Sequence, residues 1–414
     1  MAWVWTGKQG QLVAKSVNII VVGAGPVGLT AALALRARGL PVLVVEADAD
    51  GRQRPGSRAL FLHKEPLQIL DRMAPGLAKQ IGEAGVTWRG AEFTYANKLV
   101  YQRSFERSSY LNYGTSLPQV DTETILYKAA LEAGVEFRWS FSVSTVQVGS
   151  EGVTLLNAEG ERLVAPYVVA ADGARSSVRK ALGIPLQGSS SNTAYVIADV
   201  SSPTLDAWPL KLYFHYRHKS LAGRNLLILP FKGGWRFDLQ CKADDDVEFL
   251  GSPEGCRAWL SDFNHGLADA EITWVSTYRF RQLVARDFTD DSGRILLCGE
   301  AAHLFAPFGG RGLNSGIVDA DSAAVAIATA MSSTDPAVAK MATRHFAADR
   351  HEAAEFNKSV AASGLDRLSP PNVMAHAKRW AAAQLAPWVK SAGRWLSQGP
   401  TGVAHGRRED SGIY

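Results

Sequence analysis

Apolar and polar residues follow one another along this chain in two rhythms. Residues 17–22 form a short apolar run suited to a buried parallel strand, 26–38 repeat their apolar positions with helical period, and 41–46 are a second buried-strand run. Lys64–Met73 and 122–133 have helical periodicity, strands are predicted through 135–156, and 167–171 is another buried strand. Between 193 and 280 the rhythm changes to alternation, at 210–216, 225–230, 235–240 and 272–280, with turn signals such as Lys232-Gly233-Gly234 between the strands. The first rhythm returns in the strand 294–298 and a long helix from about 311 to 331. From Asp335 the pattern is helical, broken at Ser369-Pro370-Pro371. The two ends, 1–16 and 398–414, are expected to be loose.

This order predicts an α/β chain. A Rossmann-like nucleotide-binding domain is made of 17–190 and 286–362, with local substrate-side insertions near 85–118. An inserted, largely antiparallel β-sheet domain at 191–285 is expected to hold substrate, and a helical C-terminal segment occupies 363–414. The opening unit carries the most direct chemistry. Gly23, Gly25 and Gly28 fall between strand and helix, Pro26 opens the helix, and Glu46 ends the second strand 18 residues after Gly28. Gly23 allows a tight turn, Gly25 lets the backbone approach a pyrophosphate on the helix N-terminus, and Gly28 lets helix and sheet pack closely. The carboxylate at 46 can accept hydrogen bonds from ribose hydroxyls. NAD, NADP and FAD all bind in this way, and the unit alone does not choose among them.

Composition removes several classes. With 46% hydrophobic and 20% charged residues over 414 positions, the chain reads as an ordinary globular protein of two domains. A net charge of +4 is too small and dispersed to argue for nucleic acid. Cys241, Cys256 and Cys298 lack metal-ligand spacing and an even count, so buried thiols, no metal and a reduced cytoplasmic setting are expected. No run approaches the ~18 apolar residues of a membrane span, and 1–16 lacks the apolar core of a signal peptide.

Two later blocks narrow the choice. In YVVAADGARSSVRKALG, residues 167–183, a buried strand runs into Asp172-Gly173 and then a basic helix with Arg175, Ser176 and Arg179. Asp172 stands where open α/β sheets bind ligands; the plainer reading is a helix cap. In RILLCGEAAHLFAPFGGRGLNSG, residues 294–316, Gly299-Glu300, Pro307 and Gly309, Gly310 and Gly312 precede a helix, a backbone nest suited to developing negative charge. Only one glycine fingerprint in the chain follows a strand and opens a helix, so a second dinucleotide has no Rossmann unit of its own.

The three blocks, in this order, resemble the single-component (group A) FAD-dependent aromatic monooxygenases with the para-hydroxybenzoate hydroxylase fold, over roughly 17–362. The resemblance implies an ADP cradle at Gly23, Gly25, Gly28 and Glu46, an arginine near the FAD phosphates at Arg58, and a flavin-side glutamine at Gln119. It also implies a motif serving both FAD and NAD(P)H at Asp172 and Gly173, and a loop beside the flavin ring at Pro307, Gly312, Leu313 and Asn314. Gly299-Glu300 departs from the family's usual Gly-Asp, which implies a shifted or water-mediated ribityl contact or, alternatively, weakened flavin affinity. The implied reaction has NADH or NADPH reduce FAD, O2 add as a C4a-hydroperoxide, and one oxygen pass to an electron-rich phenolic or heteroaromatic ring. A flavin halogenase would need a Trp-x-Trp-x-Ile-Pro segment after the cofactor unit, and Trp3-Val4-Trp5 lies before it. A flavin oxidase or dehydrogenase, and a flavin-holding binding protein, are the remaining alternatives.

Substrate-side candidates are Phe308 by its position beside Pro307, and Tyr213, His215, Arg236 and Tyr278 on the alternating strands. His303 reads as structural. The stretch 375–396, with Trp380, Leu385, Trp388 and Trp395 among Lys378, Arg379, Lys390 and Arg394, is read as packing against the chain's own domains or a second subunit. A membrane surface is the alternative. A monomer or homodimer acting on a small aromatic is expected.

Overall fold

A computed structural model describes residues 2–5, 12–15, 19–51, 59–105, 114–150 and 152–401. Five strands pair throughout in parallel, in the order Ile295–Leu297, Val168–Ala170, Ile19–Val22, Val42–Val45, Glu136–Arg138. The apolar runs of the first four follow from burial on both faces, while the edge strand Glu136–Arg138 is charged and largely exposed. Helices Pro26–Arg36 and Arg311–Ser332 pack together, with Ala31, Ala32, Ala320, Ala323 and Ala324 all buried in the core around this sheet. Such small side chains let the backbones approach closely.

The order of the strands does the decisive work. The three motif turns leave the C-terminal ends of three adjacent strands, so blocks far apart in the chain open on one edge of one sheet. That edge is where open α/β sheets bind ligands.

A second sheet runs His303–Leu304, Glu271–Ala285, Leu186–Ser201, Gly234–Gln240, Arg224–Phe231, Leu212–His218, Gly90–Tyr95, Lys98–Ser104. It is antiparallel except where Leu212–His218 lies parallel to Gly90–Tyr95. Both faces are covered. One carries Phe93, Tyr195, Phe214, Tyr216 and Phe280 beneath Ala306, Phe308 and the C-terminal helices. The other carries Val196, Ile228, Trp235 and Phe237 beneath Trp259 and Leu260 of helix Pro253–Phe263.

Three elements depart from the sequence expectation. Leu186–Ser201 begins earlier than alternation suggests, because its first half, Gln-Gly-Ser-Ser-Ser, is largely solvent-facing and carries no apolar signal. Residues 2–5 and 12–15 pair as an antiparallel hairpin, Ala2 opposite Lys15, in keeping with their β-prone tryptophans and valines. The last helix, Lys390–Thr401, runs past residue 398, where a loose tail was expected; 402–414 lie outside the described residues. The break at Ser369-Pro370-Pro371 separates Pro336–Leu368 from Val373–Leu385, as proline chemistry requires.

Candidate functional site

The first turn is built by contact between motifs. Gly23 has φ 103°, and a Cβ there would stand 2.5 Å from the Ala171 carbonyl oxygen, so the turn seats directly on the chain entering Asp172. A Cβ at Gly28 would overlap the Gly23 carbonyl. Gly25 is extended at φ −77° and caps the helix start with no side chain, and Pro26 has no N–H to satisfy. The helix therefore offers its N-terminal amides to an anion. Glu46 is buried and its carboxylate accepts from Ala24 N–H at 2.7 Å and Asp48 N–H at 3.1 Å, which aims it at the same turn.

Asp172 does two things at once. Oδ2 accepts from Val178 N–H at 3.1 Å and Ser177 Oγ at 3.2 Å, which is the capping role. Oδ1 is buried with no hydrogen-bond partner. A buried carboxylate oxygen left unmet costs ~1–3 kcal/mol, so this oxygen is open to a donor from a bound molecule. Gly173 follows in the same turn, next to the short helix Ser177–Ala181. Arg179 is buried, its pKa lowered by burial, and its guanidinium donates to the Ala301 carbonyl at 2.8 Å and to Ala174 O at 3.3 Å. That ties the second motif to the third.

In the third motif Gly299 is buried against Val27 of the first helix, where a Cβ would stand 2.9 Å from Cγ2. Its N–H donates to Asp319 Oδ2 at 3.0 Å; the same carboxylate lies 2.7 Å from His303 Nε2 and accepts from Arg350 Nε at 2.7 Å. His303 is thus held against a buried carboxylate. Glu300 is exposed and has no protein partner among the described residues. Gly309 and Gly310, both left-handed at φ 77° and 65°, lead into helix Arg311–Ser332, which has no side-chain cap. Gly312 and Leu313 are half-buried in its first turn.

Asn314 is wholly buried and acts through its side chain. It accepts from His63 N–H at 2.9 Å and donates to Phe61 O at 2.7 Å and Gly310 O at 2.6 Å, fastening strand Ala59–His63 to the glycine loop. His63 Nε2 lies 2.7 Å from Gly309 O. Burial pushes the imidazole down to about 4, against the Gly309 hydrogen bond and with the Arg311 charge. Gln119 begins helix Gln119–Glu132 and donates to Glu123 at 2.7 Å. Arg58 lies outside the described residues.

Residues 16–354 match the family model described as FAD binding domain. The chain belongs to that family. It is 29% identical over 322 residues to rifampicin monooxygenase of Streptomyces venezuelae, covering 73% of this chain and 62% of that protein. The chain thus spans less than two thirds of that relative's length. Among solved structures, anhydrotetracycline hydroxylase from Streptomyces rimosus superposes with TM-score 0.71 at 26% identity, over 93% of this chain and 75% of that one. The p-nitrophenol 4-monooxygenase of Pseudomonas putida gives 0.74 at 24%, over 95% and 99%, and shows the fold.

The residues of this FAD binding domain fit the cofactor. The glycine turn and uncapped helix suit a diphosphate, Asp172 Oδ1 is open to a donor, and Glu300 is exposed with its carboxylate unengaged among the described residues. For Glu300→Asp we expect FAD retention within a few-fold of the parent, and for Glu300→Ala a loss of about tenfold, as for one charge-assisted hydrogen bond. Equilibrium dialysis of the two variants against FAD checks this; equal retention in all three would remove Glu300 from the site.

The substrate-side candidates divide by face. Phe308 is buried, 5.4 Å from the Phe280 ring and 6.0 Å from Tyr195, while Pro307 beside it is exposed. Tyr213 and His215 point the other way. Because side chains alternate along Leu212–His218, Leu212, Phe214 and Tyr216 share the Phe308 face, whereas Tyr213 packs by Trp208 and Trp235 and His215 by Phe263. His215 also bonds Thr94 at 2.9 Å, and burial, then His218, lowers it to about 3. Arg236 is on the Phe308 face, but Asp199 engages its guanidinium at 2.7 and 2.8 Å. Tyr278 lies on this face, half-buried.

Sequence reasoning missed two polar groups there. Asp238, two residues along from Arg236, has Oδ1 buried without a partner, and burial, opposed by Arg236 and aided by Asp199, pushes its pKa up to about 7. The Tyr195 hydroxyl lies beside Ser369 without a well-formed hydrogen bond, and burial raises its pKa. The only signal was the alternation of Arg236, Asp238 and Gln240 with Trp235, Phe237 and Leu239. Cys241, Cys256 and Cys298 are buried thiols with pKa values raised by burial. Among the described residues no cluster of His, Cys, Asp and Glu could hold a metal ion, and no helix is long and apolar enough to cross a membrane.

Proposed function

We propose that this chain is a monooxygenase that uses NAD(P)H and O2 to hydroxylate an electron-rich aromatic ring. The observation that carries the reading is the meeting of all three motifs on one sheet edge, with Pro307 and Phe308 leading from it to the aromatic face of the second sheet. FAD, when bound, supplies the electron transfer and oxygen activation. The chain holds it by the glycine turn and Glu46, by Asp172 and Glu300, and by the amides entering Arg311–Ser332, whose positive end suits charge developing on a reduced ring. Phe280, Phe308 and Tyr195 exclude water and stack the substrate ring. Asp238, poised near neutrality, accepts a hydrogen bond or proton from the substrate's phenolic group. The nicotinamide cofactor visits without a Rossmann unit of its own.

Purified protein is expected to oxidise NADH or NADPH faster when the right phenol, hydroxybenzoate or heteroaromatic is added, with hydroxylated product by mass spectrometry exceeding hydrogen peroxide. Anaerobic reduction of the flavin by the aromatic itself, with neither nicotinamide needed, would overturn this in favour of an oxidase.

A further inference from the structure

The outer face of the C-terminal helices is apolar and basic, and the described residues leave it largely exposed. Helix Val373–Leu385 starts at Asn372, whose Oδ1 accepts from Ala375 N–H at 2.9 Å. Its inner side, at Ala383 and the following Ala386, packs with Leu368 and Leu396 into the aromatic cluster below. Its outer side is largely open to solvent. Val373 is 84% exposed, Met374 82%, Trp380 56% and Leu385 51%, and Trp388 in the next turn is 81% exposed. At about 100° per residue these positions share one side of the helix, so they form a stripe rather than scattered singles. Of the expected packing, against the chain's own domains or a second subunit, the described chain supplies little at Trp380, Leu385 and Trp388. Only Trp395 and Arg379 turn inward, Arg379 donating to Leu368 O at 2.8 Å.

Charge identifies the occupant. From Val373 to Thr401 there is no aspartate or glutamate, while Lys378, Lys390 and Arg394 are exposed and form no ion pair among the described residues. Lys378 rests 5.2 Å from the Trp395 ring centroid. Arg217, exposed on a neighbouring strand, adds a further positive charge near His376, whose pKa is lowered by burial and then by Arg379 and Arg217. A second copy meeting this face about a two-fold axis would set these cations against their own images with no carboxylate on the helices to offset them. An anionic surface has the opposite charge, and exposed tryptophans are at home at the boundary of headgroup and acyl chain.

We propose that the stripe from Val373 to Trp388 seats this protein peripherally on an anionic lipid surface. Trp380, Trp388, Val373 and Met374 enter the headgroup boundary while Lys378, Lys390 and Arg394 lie on the phosphates. The inference does not depend on the reaction proposed above.

The full chain with FAD bound is floated with vesicles of phosphatidylcholine alone or of phosphatidylcholine with phosphatidylglycerol. Flotation is expected only with phosphatidylglycerol, weakening about fivefold for each of Lys378, Lys390 and Arg394 changed to Gln and falling with added salt. Trp380→Ser with Trp388→Ser is expected to abolish it while flavin absorbance and circular dichroism stay unchanged. Absence of flotation with phosphatidylglycerol, equal flotation on both vesicles, or full flotation by the double variant overturns the proposal. Light scattering covers the other occupant: a parent dimer that becomes monomeric in the double variant, with no flotation, assigns the stripe to a second copy.

Discussion

Asp172→Asn is expected to give a folded protein that purifies nearly colourless. The two oxygens of Asp172 serve different masters, Oδ2 capping Ser177–Ala181 through Val178 N–H and Oδ1 standing buried and unmet. Asparagine can keep its carbonyl on Val178 and so preserve the cap, whose loss would cost ~1 kcal/mol. It then presents an amide NH2 where a ligand hydroxyl must donate. A hydrogen bond to a charged group contributes about 1.5–3 kcal/mol, so FAD affinity should fall roughly 10- to 100-fold. The ratio of flavin to protein absorbance after gel filtration, with a thermal melt on the same sample, reads both effects. Undiminished flavin with a melting point lowered by several degrees would mean that Asp172 is a cap and nothing more.

Asp319→Ala is expected to cost the most stability. Its carboxylate holds the Gly299 N–H, His303 and Arg350 in a fully buried cluster, with the His303 ring stacked 4.5 Å from Phe305. Removing it deprives a buried guanidinium of its carboxylate, a loss of about 3–5 kcal/mol against a total of roughly 5–15. The cluster also makes a pH prediction. Burial alone would raise the Asp319 pKa, but His303 and Arg350 outweigh it and hold the value at about 2, below the ordinary 3.8. The native state then binds fewer protons than the unfolded chain, so this contribution is complete above pH ~4 and is lost as pH falls toward 2; a shift of this size corresponds to about 2 kcal/mol. Urea titrations from pH 5 to 2 should show parent and Asp319→Asn converging. Parallel curves across that window would refute the assignment.

Much of the nucleotide-binding fold was legible because its signals are local. A buried run, a glycine turn, a helix and an acid lie within residues 17–48, and each constrains only its neighbours along the backbone. The Asp172 block was legible as two competing readings, cap or ligand group; the geometry shows the cap through Oδ2 and leaves Oδ1 unpartnered. The substrate side was hard to read for a physical reason. Alternation along 212–218 shows that two sets of side chains face opposite ways, but both faces of this sheet are covered, so polarity does not reveal which one meets Phe308. Tyr213 and His215 were placed with the site on that ambiguous basis. Arg236 looked available because its partner is set by strand register, Asp199 opposite Arg236, across 37 residues. The hairpin Gly90–Ser104 joins the same sheet by parallel pairing to Leu212–His218, a contact no local pattern announces.

The sequence by itself determined the βαβ cradle, the glycines its turn demands and the amphipathic character of 375–396, because period, turn chemistry and charge are properties of adjacent residues. Only the tertiary structure decided that strand 168–170 lies between 19–22 and 295–297, gathering three motifs on one edge. It likewise decided that Asp238 rather than His215 lies on the Phe308 face of the sheet, and that Trp380 and Trp388 are exposed. Those outcomes depend on which distant surfaces are buried against each other, and burial is settled by the packing of the whole chain.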